Sequence, residues 1–395
     1  MMYKSIFILG RLPAIGRAEL ESLFGADHIE SIGERAVGCD IDPSEIDFAR
    51  TGSSVRLAKP LTVLHTTKWA DVVRYVTAEL PRHLDFLPEG KIKLGLSVFG
   101  MQISPNNLLR TGLELKKTCK AAGRTARVVP PSEGSELNSA QVLHNQLTGK
   151  LGMELLFIHS GNNMWLAQTR GIQDITAYAQ RDQNRPKRDA FVGMLPPKLA
   201  QTIVNLGTGQ LPPHDTNVVL DPFCGTGVVL QEALLMGYGA YGTDLKPRMI
   251  DYTRQNLQWL ASYGVHGNET LEAGDATTHQ WGHPFSAIAS ETYLGRPLIS
   301  WPGPDKLHEI IGTCNVIIEK FLNNLASQLP ANTRLCLAVP GWHNPNGHIH
   351  HLPLLDHLEK MGYNRISFEH AKTEDLVYFR PDQLVARELL VMIKK

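Results

Sequence analysis

Three aspartates and a glycine turn are the residues in this chain whose types and spacing could hold a ligand. Residues 216–245 read TNVVLDPFCGTGVVLQEALLMGYGAYGTDL. The pattern predicts a strand over 217–220, a turn over 221–227, a helix over 228–236 and a second strand over 240–243. Asp221 opens the turn, and Asp244 closes the second strand 23 residues later. A glycine turn after a strand lets a ligand approach backbone N–H groups at a helix N-terminus. An acid ending the next strand can accept ribose hydroxyls. This arrangement suits an adenosine-containing cofactor. A dinucleotide is disfavoured, because Gly225-Thr226-Gly227 is followed by Val228, Val229 and Leu230 where G-x-G-x-x-G needs a third glycine. A third acid, Asp275, follows the strand-like run 270–273. One such acid alone reads as a solvated loop carboxylate. Three at the carboxyl ends of successive strands share the edge where these sheets bind ligands.

The turn Asp221-Pro222-Phe223-Cys224-Gly225-Thr226-Gly227 resembles the D-P-F-x-G-x-G loop of S-adenosylmethionine methyltransferases that act on nucleobase amines. The resemblance implies S-adenosyl-L-methionine as cofactor. Asp221, Phe223, Cys224, Gly225, Thr226 and Gly227 would then surround its methionine part. Asp244 with Leu245 would meet the ribose, and Asp275 with Ala276 the adenine. Cys224 reads as a small turn residue rather than a nucleophile. Such enzymes carry D/N-P-P-Y/F after the fourth strand, where a carbonyl and an acid or amide hold the amine hydrogens and the ring stacks on the base. Here the stretch is Ser290-Glu291-Thr292-Tyr293-Leu294-Gly295. One register matches Ser290–Tyr293 and loses the acid. The other matches Glu291–Gly295 and puts Leu294 in place of the aromatic. The catalytic candidates are Glu291, Tyr293 and Ser290.

These residues need elements to position them. After residue 216, β-rich runs over 217–220, 240–243, 270–273, 286–289, 334–339, 365–368 and 388–393 alternate with helical patterns, which predicts a seven-stranded doubly wound α/β sheet. No helix separates the last two runs, so the final strand is expected to insert antiparallel. Ahead of it, Leu195-Pro196-Pro197 suits the entry of a helix carrying Leu199, Ile203 and Leu206. The N-terminal half reads as α+β. Residues 2–9 and 36–41 look like strands. Residues 52–64 form another, placed at a sheet edge because Pro60 interrupts it. Ser160-Gly161-Asn162-Asn163 suits a hairpin between 154–159 and 164–168. Residues 171–189 are polar and basic and read as a linker.

With 395 residues the chain has room for two or three domains. Formal net charge is zero, from 39 basic and 39 acidic residues, so any nucleic-acid surface must come from local clustering. Residues 91–150 hold nine Lys or Arg against three Glu, a local excess of six. Arg110, Lys116, Lys117, Lys120, Arg124 and Arg127 lie within it and are the candidate RNA contacts; a solvated helix face is the alternative. Five scattered cysteines without C-x-x-C suggest neither disulfides nor zinc and fit a reducing cytoplasm. No apolar run reaches the roughly 18 residues that span a bilayer. His343, His348, His350 and His351 lack cysteine partners and read as a solvated loop, so no metal is expected.

The whole order resembles the THUMP-domain tRNA guanosine-N2-methyltransferases. The carriers are Met194-Leu195-Pro196-Pro197-Lys198-Leu199-Ala200 with Val204-Asn205-Leu206, followed by Asp221 to Gly227. The resemblance implies a ferredoxin-like domain over 1–66, an RNA-binding THUMP domain over 67–170, the linker over 171–189 and a Rossmann-like class I methyltransferase domain over 190–395. It further implies tRNA as substrate, methylation of guanosine N2 at position 10, and a monomer unless an activator subunit joins, as in some eukaryotic relatives. Glu291-Thr292-Tyr293 departs from the family's D-P-P. A DNA amine methyltransferase, and an RNA- and cofactor-binding protein without catalysis, remain as alternatives.

Overall fold

The computed structural model describes residues 3–189, 195–344, 347–380 and 383–395. Two compact units divide the chain. The first comprises Met1–Arg17, Asp27–Ala49 and Ser53–Ala177; the second comprises Ala18–Ala26, Arg50–Gly52 and Tyr178–Lys395.

The first unit is built on eight strands: β1 (Ser5–Leu9), β2 (Ile29–Gly33), β3 (Ala36–Cys39), β4 (Ser54–Leu64), β5 (Ile92–Phe99), β6 (Ala126–Val129), β7 (Gly152–Ser160) and β8 (Asn163–Ile172). They form one sheet in the order β2-β3-β1-β4-β8-β7-β5-β6, so strands from 1–66 and from 67–170 join through β4 and β8. The sheet places β4 between β1 and β8, but its pairing with β1 ends at Ala58, so at Pro60 only β8 pairs with it and the strand has the free side that a proline needs. The β4–β8 register also shifts between Pro60 and Thr62. The β7–β8 hairpin closes as expected through Gly161, whose φ of 57° suits the first central position of a tight turn. Helix α1 (Pro13–Phe24) follows β1. Helices α2 (Trp69–Leu84) and α3 (Pro105–Ala121) bury Val72, Val76, Leu80, Leu108 and Leu115 against Leu94, Phe157 and Leu166 of the sheet. Short helix α4 (Ser139–His144) completes the unit.

The linker expected over 171–189 takes up the end of β8 and helix α5 (Ile175–Gln183). Arg181 of α5 makes a two-pronged pair with buried Glu232, at 2.8 and 3.1 Å. Part of that stretch is therefore bound into the second unit.

The second unit alternates helices and strands: α6 (Pro197–Thr208), β9 (Val218–Asp221), α7 (Val228–Leu235), β10 (Gly239–Asp244), α8 (Pro247–Ala261), β11 (Glu269–Ala273), β12 (Ala287–Glu291), α9 (Pro304–Ala326) and β13 (Arg334–His343). Strands β14 (Ile349–His350), β15 (Tyr363–Arg365), β16 (Val377–Tyr378) and β17 (Val385–Lys394) follow. The main path of the sheet is β11-β10-β9-β12-β13-β17-β15, with β14 on β13 and β16 on β17. Neighbours from β11 to β13 are parallel, and β17 inserts antiparallel between β13 and β15 as expected. One face is covered by α9, whose Cys314, Ile318, Phe321 and Leu325 pack with Leu220, Ile288, Leu335 and Leu390. On the other, Leu230, Leu234, Ile250, Leu257 and Leu260 of α7 and α8 form a second core. Among the described residues no helix is long and apolar enough to cross a membrane.

Candidate functional site

Asp221 and Asp244 end adjacent parallel strands, and strand direction alone brings them to one edge of the sheet. A cavity of about 590 Å³ opens there, within the range of small-ligand sites. Asp221, Phe223, Cys224, Gly225, Thr226, Asp244, Leu245, Asp275, Ala276, Glu291 and Tyr293 all line it. Gly227 and Ser290, the remaining candidates of the second unit, support the wall from behind.

The glycine turn is held by two polar residues of α8. Thr253 Oγ1 donates to the carbonyl of Gly225 at 2.9 Å, and Asn256 Nδ2 donates to the carbonyl of Thr226 at 2.8 Å. Asn256 also bonds Lys187 through both its main-chain N–H and its carbonyl. Sequence reasoning missed this pair, although two polar residues on the helix face that buries Met249, Ile250, Leu257 and Leu260 were a usable signal. Gly225 and Gly227 have φ of 53° and 82°, the left-handed region that favours glycine. At Gly227 the constraint comes from inside the protein, since an added Cβ would lie 2.7 Å from the Thr253 methyl. Ligand approach is therefore not what demands glycine at this position.

The carboxylates differ in how they are held. Asp244 accepts the N–H groups of Gly225 at 3.0 Å and Lys246 at 2.8 Å. Burial raises its pKa, and those two bonds oppose the rise. Asp221 is 2% exposed and accepts from Phe223 N at 3.2 Å and Ser290 Oγ at 2.6 Å. The pKa of Asp221 is raised to about 7: burial lifts it most, its hydrogen bonds to Ser290 and Phe223 oppose the rise, and the charges of Asp244 and Glu291 add to it. Asp275 accepts from the N–H and hydroxyl of Thr277, which fixes its own turn. The thiol of Cys224 is pushed well up by burial and by Asp221 and Asp244, which favours its protonated form.

Strand β12 runs two residues further than predicted and includes both Ser290 and Glu291. Neighbouring residues of a strand face opposite ways, and this separates the two candidates. Ser290 is fully buried and turned back to Asp221, to which its hydroxyl donates. Glu291 faces the cavity and receives Arg387 Nε at 2.5 Å. Burial raises the pKa of Glu291, and Arg387 opposes that rise. Thr292 donates both its N–H and its hydroxyl to the carbonyl of Ala338, leaving Tyr293 as the aromatic residue on the wall. Val316, Ile317 and Lys320 of α9, together with Leu195, close the cavity; none was predicted to do so.

The helix-entry motif has structural duties. Asn205 Nδ2 donates to Glu19 Oε1 and to the carbonyl of Arg50, each at 2.8 Å, while its Oδ1 accepts from Arg50 Nε at 3.3 Å. Met194 of that motif lies outside the described residues. So do 190–193, and 345–346 of the histidine loop. His351 bonds buried Glu388, and no cluster fit for a metal occurs among the described residues.

In the first unit, Arg110, Lys116, Lys117 and Lys120 are exposed on α3, opposite the face that buries Leu108 and Leu115, and Arg127 is exposed on β6. Arg124 differs from them. Its guanidinium donates to the carbonyls of Leu84, Leu87 and Pro88, so its donors secure the end of α2 rather than point outward.

Replacing Gly227 with alanine should destabilise the protein by more than the roughly 1–3 kcal/mol of a strained φ alone. Gly264→Ala is the control: its φ is also 82°, but nothing lies within 4 Å of an added Cβ. Urea denaturation of both variants decides, and equal losses would remove Thr253 as the reason for the glycine.

Comparison with known proteins adds sequence relatives and a shared fold. A sequence profile described as DNA methylase matches residues 123–255, which takes in the glycine turn and Asp244 but stops short of Asp275 and Glu291. A tRNA (guanine(10)-N2)-dimethyltransferase from Methanothermobacter thermautotrophicus is 32% identical over 161 residues, covering 40% of this chain and 43% of that one. The enzyme of the same name from Pyrococcus abyssi is 27% identical over 196 residues, covering 47% and 56%. The chain thus spans about half the length of the curated relatives it matches. Among solved structures, TrmN from Thermus thermophilus superposes with a TM-score of 0.52 at 16% identity, covering 99% of this chain and 100% of that one. As its motifs led us to expect, the chain is similar in sequence to the tRNA (guanine(10)-N2)-dimethyltransferases, and its second unit has the class I methyltransferase fold behind an α+β unit.

Proposed function

We propose that this chain is an S-adenosylmethionine-dependent methyltransferase acting on guanosine N2 in tRNA, with position 10 as the target that its sequence relatives indicate. The observation that carries this reading is one cavity in which Asp221, Asp244 and Asp275 share the walls with Glu291 and Tyr293. The residues fit the cofactor. Asp221, a buried carboxylate lifted to about 7, has no cationic partner among the described residues, and an ammonium group beside it would supply one. The remaining lone pairs of Asp244 suit ribose hydroxyls. When bound, the cofactor supplies a sulfonium methyl group for one displacement by an amine nitrogen, which then sheds a proton. On the substrate side, Tyr293 offers a ring to a flipped base and Glu291 accepts an amine hydrogen, so the nitrogen lone pair turns to the methyl group.

We place RNA contact on α3 and β6 of the first unit, which we take as its THUMP-like part, with domains over 1–66, 67–170 and 190–395 as the working division. The five cysteines are free and buried, as suits a reducing cytoplasm. The profile described as DNA methylase favours a second reading, methylation of a DNA base amine.

Labelled cofactor with unmodified tRNA should give N2-methylated guanosine by mass spectrometry, and duplex DNA should neither accept label nor compete. Transfer to duplex DNA alone would establish the second reading. Cofactor binding without transfer to any tRNA pool would leave a binding protein.

Asp221 makes cofactor affinity depend on pH. Its folded pKa lies above the usual value of 3.8, so the folded protein holds an extra proton between about 4 and 7 and loses stability as pH rises through that window. A cationic ligand favours the ionised form. Cofactor affinity should therefore rise from pH 6 to pH 8, by up to about tenfold per unit below the pKa, with a proton released on binding. Calorimetry in buffers of different ionisation enthalpy tests this, and Asp221→Asn should abolish both effects.

The triple change Lys116→Glu, Lys117→Glu, Lys120→Glu should weaken tRNA binding and flatten the log–log salt slope by about two to three. Filter binding across salt concentrations reads both. Unchanged affinity would make this helix face a solvated surface.

A further inference from the structure

The pair between Glu291 and Arg387 belongs to no pattern in the sequence. Arg387 sits on β17, and β17 runs opposite to β12 and β13, which brings its N-terminal end to the edge where those strands finish. In register, Ala338 of β13 faces Glu291 on one side, while Pro340 faces Arg387 on the other. The arginine thus reaches across β13 to the carboxylate. Both side chains are largely buried, at 6% and 13% exposure. Arg387 Nε donates to Glu291 Oε1 at 2.5 Å, and its Nη1 donates to Gln383 Oε1 at 3.2 Å. Glu291 Oε2 has no partner among the described residues, and Glu291 lines the cavity.

We propose that Arg387 is a positioning residue that keeps Glu291 ionised and holds its free oxygen toward the amine-bearing substrate. The inference rests on the function proposed above. A conjugated amine is a poor nucleophile, and an anionic acceptor on its N–H is what localises the lone pair. A neutral carboxyl could instead present an O–H donor, the wrong polarity for that hydrogen. Burial alone drives Glu291 toward the neutral form, and Asp221 on β9 adds a like charge nearby. Asp244, Asp275, Lys246 and Lys320 stand on other walls of the cavity. Among the described residues, only Arg387 forms an ion pair with Glu291. Removing the arginine leaves a buried, uncompensated carboxylate that takes up a proton.

The test compares the parent with Arg387→Met, Arg387→Lys, Glu291→Gln and the double variant Glu291→Gln, Arg387→Met. With saturating cofactor and tRNA, Arg387→Met should lower kcat at pH 7 on the order of 10- to 100-fold. The loss should shrink toward pH 9, as Glu291 ionises, while cofactor affinity stays within about threefold. Arg387→Lys should restore most of the parent's pH profile, and it separates this effect from misfolding. In the Glu291→Gln background, adding Arg387→Met should change kcat less than about twofold, because the arginine acts only through Glu291. A profile for Arg387→Met parallel to the parent's overturns the proposal, and so do additive losses in the double variant. Asp221 feels the charge of Glu291, so the comparison is made at saturating cofactor, whose ammonium group holds Asp221 ionised in every variant.

A parent without transfer sinks the proposed function. The pair is then judged by guanosine binding in the presence of S-adenosylhomocysteine. Binding should be flat from pH 6 to 9 in the parent and should tighten with pH in Arg387→Met. A flat variant, or no binding to the parent at millimolar guanosine, overturns the proposal.

Discussion

Carboxylates crowded at one edge of an apolar sheet are the constraint on which the site depends. Parallel strands that end together bring Asp221, Asp244 and Glu291 to the same cavity, and burial pushes each toward its neutral form. Each is compensated differently. Asp244 receives two backbone N–H groups, Asp221 a hydroxyl and one N–H, and Glu291 a full positive charge. The least compensated is Asp221, which has no cationic partner among the described residues. A binding site gains from such a deficit, because a ligand that supplies the missing charge is stabilised by the same burial that penalises the empty state.

The rigidity of the glycine turn follows from packing beneath it. Thr253 and Asn256 replace apolar contact with hydrogen bonds to carbonyls that a left-handed turn leaves unpaired, and the Thr253 methyl occupies the space where a side chain on Gly227 would go. The same economy holds for Asn205 in the preceding helix, whose amide satisfies groups of Glu19 and Arg50 at full burial. These residues are not among those lining the cavity beside Asp221, yet they fix the backbone on which it is built.

Most of the second unit was legible in the sequence because its signals are local. Strands β9 and β10, the turn between them and the acids at their ends follow from periodicity and glycine spacing over thirty residues. What stayed hidden is non-local. Pro60 marked an edge by its missing donor, and only the partner strands could show that the edge is local, with β4 paired on both sides up to Ala58 and on one side at Pro60. Arg124 read as one more surface charge in a basic stretch, because its carbonyl partners lie nearly forty residues earlier in the chain. The two registers of the fourth-strand loop could not be separated while the strand was read as ending at Ala289. With its two extra residues, alternation turns Ser290 inward to Asp221 and leaves Glu291 lining the cavity.

That loop also shows how a departure from the amine-methyltransferase motif can be built. Proline-rich loops hold their shape through fixed φ angles and need few hydrogen bonds. Glu291-Thr292-Tyr293 has no proline, so its backbone requires another restraint, and Thr292 provides one by closing twice on the carbonyl of Ala338. Gly295, with φ of 87°, then turns the chain away. A glutamate has one more rotatable bond than an aspartate, and left alone it would sample positions that miss the cavity. The antiparallel insertion of β17 places Arg387 where it removes that freedom. Topology thus supplies at this position what the missing prolines and the shorter acid would otherwise supply: a single orientation for the group facing the cavity.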